Sequence, residues 1–117
     1  MAQLFFKKHF QDAIRAGTKR TTIRRWDRPM VQAEEIAFSP GLGWLRVLAV
    51  EMVELEKLSD ADAKADGLET VAALRDILTT FYPQHDNDGK KWFRVVFTLS
   101  KEFRRSARDD DSQTGMF

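Results

Sequence analysis

The sequence contains no cysteine. Disulfide bonds, thiolate metal ligands and cysteine nucleophiles are therefore excluded, and the chain is compatible with a reducing compartment. Long apolar runs are also absent, because no segment approaches the roughly 20 apolar residues that a membrane-spanning helix needs. The first residues lack the apolar stretch of a secretory signal. We therefore expect a soluble, cytoplasmic protein without membrane partners.

Histidine is scarce as well. His9 and His85 are the only two histidines, and their separation does not match the spacing of metal ligands, so we expect both to be structural or surface residues. The acidic run Asp109-Asp110-Asp111 has the character of a solvated segment and not of a magnesium site. The sequence thus predicts neither a metal site nor a cofactor.

Size and composition favour one folded unit. The chain has 117 residues, of which 43% are hydrophobic, and this is enough for a single core. After residue 100 the composition changes to a basic stretch followed by an acidic one. We predict a single domain over residues 1–100 and a charged C-terminal tail over residues 101–117.

Charge is distributed unevenly along the chain. The first 50 residues hold nine basic and four acidic side chains, whereas the net charge of the whole chain is only +1. This asymmetry is compatible with a positive face that attracts phosphate groups, and also with an ordinary solvated surface.

The basic residues concentrate in one motif, GxKxxTxR, which runs from Gly17 to Arg24. Gly17 follows an amphipathic stretch over residues 9–16 and is predicted to end a helix there in the left-handed conformation. Residues 21–26 are rich in β-branched and aromatic side chains and predict a strand. On this strand Thr22 and Arg24 share one face, while Ile23 points to the other face and into the core.

The remaining pattern mixes strands and helices. Strands are predicted over residues 4–6, 35–39, 44–55 and 92–99. A short helix is predicted between the cap residue Ser59, with Asp62 at the capping-box spacing, and Gly67. Thr70 is predicted to cap a longer helix that ends before Tyr82-Pro83. This order favours an α+β fold.

These residues resemble the ASCH domain family. The resemblance rests on Gly17-x-Lys19-x-x-Thr22-x-Arg24, on the helix end Asp62-Ala63-x-x-Asp66-Gly67 and on the late aromatic pair Trp92-Phe93. Because this family is related to PUA-like RNA-binding domains, the resemblance implies a PUA-like β-barrel with two to three packed helices. It also implies that the partner is RNA or a modified nucleoside.

Some small bacterial ASCH proteins are amidohydrolases that release acetate from N4-acetylcytidine. In that subgroup the motif lysine and threonine act together with a glutamate at the helix end. The resemblance places these catalytic roles on Lys19, Thr22 and Asp66. The third residue departs from the pattern, because aspartate is shorter than glutamate by one methylene, and a small misplacement of a catalytic group lowers the rate strongly.

Amide hydrolysis needs a nucleophile, a proton carrier and a group that stabilises the oxyanion. The nucleophile is the Thr22 hydroxyl or a water, activated by Lys19 or Asp66, and a basic lysine requires that burial lowers its pKa. Backbone amides from Gly17 to Arg20 are predicted to hold the oxyanion. Arg24 is better suited to bind a carbonyl or phosphate group than to transfer protons.

The second hypothesis is a non-catalytic RNA-binding module. The residues predicted to bind substrate or RNA are Gly17, Arg20, Arg24, Arg25 and Trp26, with Trp26 as the tryptophan most suited to stack on a base. Ribonuclease activity is a third possibility, although no histidine is placed to supply the general acid and base. The sequence leaves the oligomeric state open.

Overall fold

A computed structural model of the protein describes residues 2–100. This part of the chain forms five strands and three α-helices, in the order β1 (Ala2–Gln3), α1 (Lys8–Ala16), β2 (Thr21–Trp26), β3 (Ile36–Ser39), β4 (Gly43–Val53), α2 (Asp60–Ala65), α3 (Val71–Phe81) and β5 (Lys91–Leu99). A short 3-10 helix, Leu55–Lys57, follows β4. The charged tail predicted for residues 101–117 lies outside the described residues.

The strands form one mixed sheet in the order β1-β3-β4-β5-β2. β1 pairs with β3 in parallel, and every other pair is antiparallel. The register of β4 against β5 shifts between Val47 and Ala49, and such an irregularity bends a strand and increases its twist. The sheet curls into a half-barrel that carries three helices, which confirms the predicted α+β fold with a barrel-like sheet and packed helices.

The predicted helix ends are confirmed. The Ser59 side chain accepts from the Asp62 N–H, and the Asp62 carboxylate accepts from the Ser59 N–H at 2.8 Å, which completes a capping box. Thr70 caps α3 through its side chain. Gly17 ends α1 with φ of +83°. Local sequence therefore determines where these helices begin and end.

The predicted N-terminal strand over residues 4–6 is wrong. The strand is Ala2–Gln3, and its last cross-strand contact is the hydrogen bond from Leu4 N to Phe38 O at 3.0 Å. Leu4 is buried, whereas Phe5 is 61% exposed. β4 also ends two residues earlier than expected, because Leu55 already belongs to the 3-10 helix.

Two hydrophobic clusters lie on the two faces of β5. Val95 and Phe97 pack in the first cluster together with Ile14 of α1. Trp92 packs in the second cluster together with Ile23 and with Leu74 of α3, among others. The alternation of side chains along a strand explains why neighbours on β5 join different clusters. No helix within residues 2–100 is both long and apolar enough to cross a membrane.

Candidate active site

A pocket of about 300 Å³ opens where α1, β2 and α3 meet. This volume is at the lower end of the range for small-molecule sites. The walls are mainly apolar and aromatic, and the polar lining residues include four that sequence analysis had singled out. The lining residues are Phe5, Phe6, Lys7, Phe10, Lys19, Thr22, Ile23, Arg24, Asp66, Ile77, Leu78, Phe81 and Tyr82.

Lys19 and Asp66 form a buried ion pair. Lys19 Nζ lies 3.1 Å from Asp66 Oδ2 and donates to the Asp66 carbonyl oxygen at 3.2 Å. Lys19 is 4% exposed and Asp66 is 6% exposed. Their backbones are brought together by an isolated antiparallel bridge between the two residues and by a 2.7 Å hydrogen bond from Arg20 N to Ala65 O. Because the backbones approach so closely, the short aspartate side chain reaches the lysine.

Burial drives the two pKa values of this pair toward each other. Removal from water lowers the pKa of Lys19, against the attraction of Asp66. The same burial raises the pKa of Asp66, against the ion pair with Lys19 and the hydrogen bonds that the carboxylate accepts. A charged group loses solvation when it is buried, whichever its sign. The difference in proton affinity between the two groups therefore narrows, and a narrow difference favours proton transfer between them.

Thr21 is a site residue that sequence analysis missed. Its Oγ1 donates to Asp66 Oδ1 at 3.1 Å, while Oδ2 of the same carboxylate faces Lys19. Both carboxylate oxygens of Asp66 therefore have a partner within the fold. Thr21 and Thr22 are consecutive strand residues, so their side chains leave opposite faces, and a pair of adjacent threonines was the signal that could have identified the second hydroxyl.

Replacing Thr21 by valine is expected to lower the free energy of unfolding by about 1–3 kcal/mol, because one buried carboxylate oxygen loses its donor. Thr21→Ser keeps the hydroxyl and is the matched control, with a smaller loss from the deleted methyl group. Urea unfolding of the three proteins measures the difference. Equal stability of the valine and serine variants would contradict the hydrogen bond to Asp66.

Gly67 is a second residue of the site that was not predicted from the sequence. It has φ of +90°, and a Cβ built on it would lie 3.1 Å from Lys19 Cβ. Side chains other than glycine rarely adopt this conformation, and the contact is tighter than ordinary van der Waals distance. Gly67 therefore allows the end of α2 to pass close to Lys19.

Thr22 and Arg24 share one face of β2, as predicted. Thr22 is buried, and its Oγ1 accepts a hydrogen bond from Arg24 Nε at 2.9 Å. Arg24 Nη2 donates to Phe5 O at 2.8 Å, and the guanidinium lies 4.9 Å from the centre of the Phe6 ring. Burial lowers the pKa of Arg24. These contacts hold the guanidinium rigidly beside the threonine hydroxyl.

Arg25 and Trp26 do not reach this pocket. Arg25 pairs with Asp88 at 3.1 Å and stacks 4.7 Å from the Trp92 ring centre. Trp26 packs beside the first hydrophobic cluster, with its ring 6.1 Å from that of Phe93. Of the residues predicted to bind substrate or RNA, the structure brings only Arg24 to the pocket. Arg20 is exposed outside it.

The predicted oxyanion site in the turn before β2 is wrong. The amide of Gly17 donates to Ile14 O, and those of Thr18 and Lys19 donate to Ala13 O. The amide of Arg20 donates to Ala65 O. All four N–H groups are thus occupied within the fold. Gly17 serves to end α1 and does not line the pocket.

The two histidines lie outside the pocket lining. His85 Nδ1 is 3.0 Å from Tyr82 O, and its ring lies 5.9 Å from that of Trp92. His9 is exposed on α1. Within residues 2–100, no three histidine, cysteine, aspartate or glutamate residues lie close enough to hold a metal ion together.

No family model matches the sequence, and no curated protein resembles it in sequence. Solved structures do resemble its fold. The hypothetical protein PH0355 is 14% identical with a TM-score of 0.71, covering 84% of this chain and 97% of its own. An ASCH domain from Lactobacillus crispatus is 14% identical with a TM-score of 0.65, covering 78% and 70% respectively. Protein EF3133 from Enterococcus faecalis is 15% identical with a TM-score of 0.64, covering 85% and 80%.

At such low identity these likenesses concern the fold alone. The protein has an ASCH-like fold, as the resemblance had implied.

Proposed function

We propose that this ASCH-fold protein is a small amidohydrolase that removes the acyl group from N4-acetylcytidine or a similarly acylated nucleoside. One observation carries the proposal: a buried lysine and carboxylate, 3.1 Å apart, share a pocket with the Thr22 hydroxyl. A hydroxyl nucleophile that lines the same pocket as a lysine–carboxylate pair offers the groups that acyl transfer needs. The side chains of the pocket supply the nucleophile and the proton carrier of this reaction, and solvent supplies the water.

In this scheme the Thr22 oxygen attacks the acyl carbon, and its proton passes to the Lys19–Asp66 pair. The carbon–nitrogen bond then breaks, and the pair returns the proton to the departing amino nitrogen of cytidine. The acyl group remains as an ester on Thr22. Water attacks this ester and gives one proton to the same pair. The pair passes that proton to the Thr22 oxygen as the ester bond breaks, and the acyl group leaves as a carboxylic acid that ionises in water. Direct attack by water, with Thr22 as a hydrogen-bond donor to the substrate, is the alternative route.

Aromatic side chains at the pocket favour a flat ligand. Phe5 is 61% exposed and Phe81 is 44% exposed, although both are large apolar residues that line the pocket. Phe10 lies deeper, with its ring centre 5.0 Å from Lys19 Nζ. Exposed aromatic faces beside a polar floor are suited to stack on a nucleobase whose exocyclic group points toward the polar residues.

The test is incubation of the purified protein with N4-acetylcytidine, with release of cytidine followed by chromatography. Lys19→Ala and Thr22→Ala are each expected to lower kcat/KM by at least about a hundredfold, because each removes a reacting group. Lys57→Ala and Thr98→Ala change exposed residues outside the pocket and are matched controls. Absence of cytidine release, or release that both site variants leave unchanged, would refute the proposal.

The RNA-binding alternative draws its support from exposed cations. Arg20 and Arg28 are exposed near the two ends of β2, whereas Arg24 and Arg25 are engaged in internal contacts. Fewer cations therefore remain for contacts to a phosphate backbone than the sequence implied. Affinity for an RNA oligomer that falls with added salt and with Arg20→Gln and Arg28→Gln, together with no cytidine release, would favour this alternative.

A further inference from the structure

The cations of the pocket outnumber its carboxylates. Among the described residues, the lining contains Lys7, Lys19 and Arg24 but only one acidic side chain, Asp66. Asp66 is already paired with Lys19. Arg24 contacts a hydroxyl, a backbone carbonyl and an aromatic ring, and no carboxylate in residues 2–100 lies within ion-pair distance of it. The pocket therefore holds a partly buried guanidinium without a counter-ion.

Two hydrogen-bond donors beside this charge also lack acceptors. Arg24 uses Nε on Thr22 and Nη2 on Phe5 O, so that Nη1 has no acceptor within the described part of the chain. Thr22 Oγ1 accepts from Arg24, and its own hydroxyl proton has no acceptor there either. Both groups belong to residues that line the same pocket. An anion bound in this pocket would find these unused donors and would neutralise the guanidinium.

We infer that this pocket binds a carboxylate carried on a flat aromatic body. A guanidinium and a hydroxyl suit a planar carboxylate, and hydrogen bonds to charged groups are stronger than neutral ones. The aromatic walls formed by Phe5, Phe10 and Phe81 would cover the ring of such a ligand. This binding does not require the proposed hydrolysis, although a carboxylate product of that reaction would occupy the same place.

Isothermal titration of the purified protein with benzoate, benzamide and acetate tests this inference. Benzamide has nearly the shape of benzoate without its charge, and acetate has the charge without the ring. We expect benzoate to bind at least about tenfold more tightly than either. Equal affinity for benzoate and benzamide would overturn the inference, and so would tighter binding of phenyl phosphate, because the site would then be a phosphate site.

Variants of Arg24 and of an exposed arginine test whether Arg24 itself causes the preference for benzoate. Arg24→Met should remove the preference for benzoate over benzamide, and Arg24→Lys should retain part of it. Arg28→Met changes an exposed arginine outside the pocket and should leave binding unchanged. If circular dichroism shows that Arg24→Met is unfolded, Thr22→Val removes the other donor and should weaken benzoate more than benzamide. A preference for benzoate that loss of either donor leaves undiminished would overturn the inference.

The proposed deacylation and the proposed carboxylate site can be refuted independently of each other. A protein that binds benzoate but never releases cytidine loses the proposed function and keeps the carboxylate site. A protein that deacylates N4-acetylcytidine but does not prefer benzoate loses only the carboxylate site.

Discussion

Replacing Lys19 by methionine is expected to lower the free energy of unfolding by about 3–5 kcal/mol, because it leaves the Asp66 carboxylate buried without its counter-charge. Methionine fills much of the space of the lysine stem, so most of the loss is electrostatic. Replacing Asp66 by asparagine in the same chain removes the remaining charge and keeps an acceptor for Thr21. The double variant should therefore recover most of the stability while remaining inactive.

The exposed pair of Lys57 and Glu54 provides a control. Its atoms are 3.4 Å apart, but the two side chains are 76% and 63% exposed, and such pairs contribute at most about 1 kcal/mol. Denaturant unfolding of Lys19→Met, Lys57→Met and the double variant measures all three effects. A cost of Lys19→Met no larger than that of Lys57→Met would contradict the buried ion pair.

The loss in free energy of unfolding caused by Lys19→Met should also depend on pH. Burial already raises the pKa of Asp66, and loss of the lysine removes an interaction that lowers it. With a folded-state pKa above the unfolded value, the carboxyl binds a proton more readily in the folded protein, so stability falls as pH rises through that range. The variant should accordingly come closest to the wild type at acid pH, where Asp66 is neutral in both states.

Replacing Gly67 by alanine is expected to lower both the stability of the fold and the rate of the proposed deacylation. The φ of +90° imposes a conformational cost of about 1–2 kcal/mol on any residue with a Cβ. The new Cβ would also lie 3.1 Å from Lys19 Cβ, which cannot yield without moving the lysine backbone. Because small displacements of a catalytic group are costly, we expect about a tenfold or larger loss of kcat/KM.

Gly17→Ala is the matched control for this substitution. Gly17 has a similar φ of +83°, but apart from its own local backbone no atom lies within 4 Å of the position its Cβ would take. It should therefore lose stability through backbone strain alone and retain its rate of deacylation. Thermal melts and cytidine release from both variants provide the comparison. Equal losses of activity would show that the close approach of Gly67 to Lys19 does not matter.

The backbone explains how Asp66 reaches Lys19 at the position where the resemblance implies the longer glutamate of the amidohydrolase subgroup. A side chain shorter by one methylene reaches Lys19 because residues 19 and 66 form a β-bridge and because Gly67 adds no side chain at that point. Thr21 holds the second carboxylate oxygen.

Features that depend on near neighbours in the chain were predictable. The bounds of β2, the capping box at Ser59 and the left-handed end of α1 at Gly17 follow from residues within a few positions of each other. The N-terminal strand was misplaced because its pairing depends on β3, which lies far along the chain. Propensity alone gave the apolar residues 4–6 as the strand, and tertiary pairing overrode it.

The same division applies to the candidate site. The sequence, with its resemblance to ASCH domains, singled out Lys19, Thr22, Arg24 and Asp66, which line the pocket. The alternation along β2 placed Thr22 and Arg24 on one face of that strand. Only the tertiary structure decided that Lys19 and Asp66 are buried together, that Arg25 and Trp26 lie elsewhere and that the amides before β2 are already used. Side-chain chemistry is a property of each residue, whereas burial, pairing and the competition for hydrogen bonds depend on which distant segments the fold brings into contact.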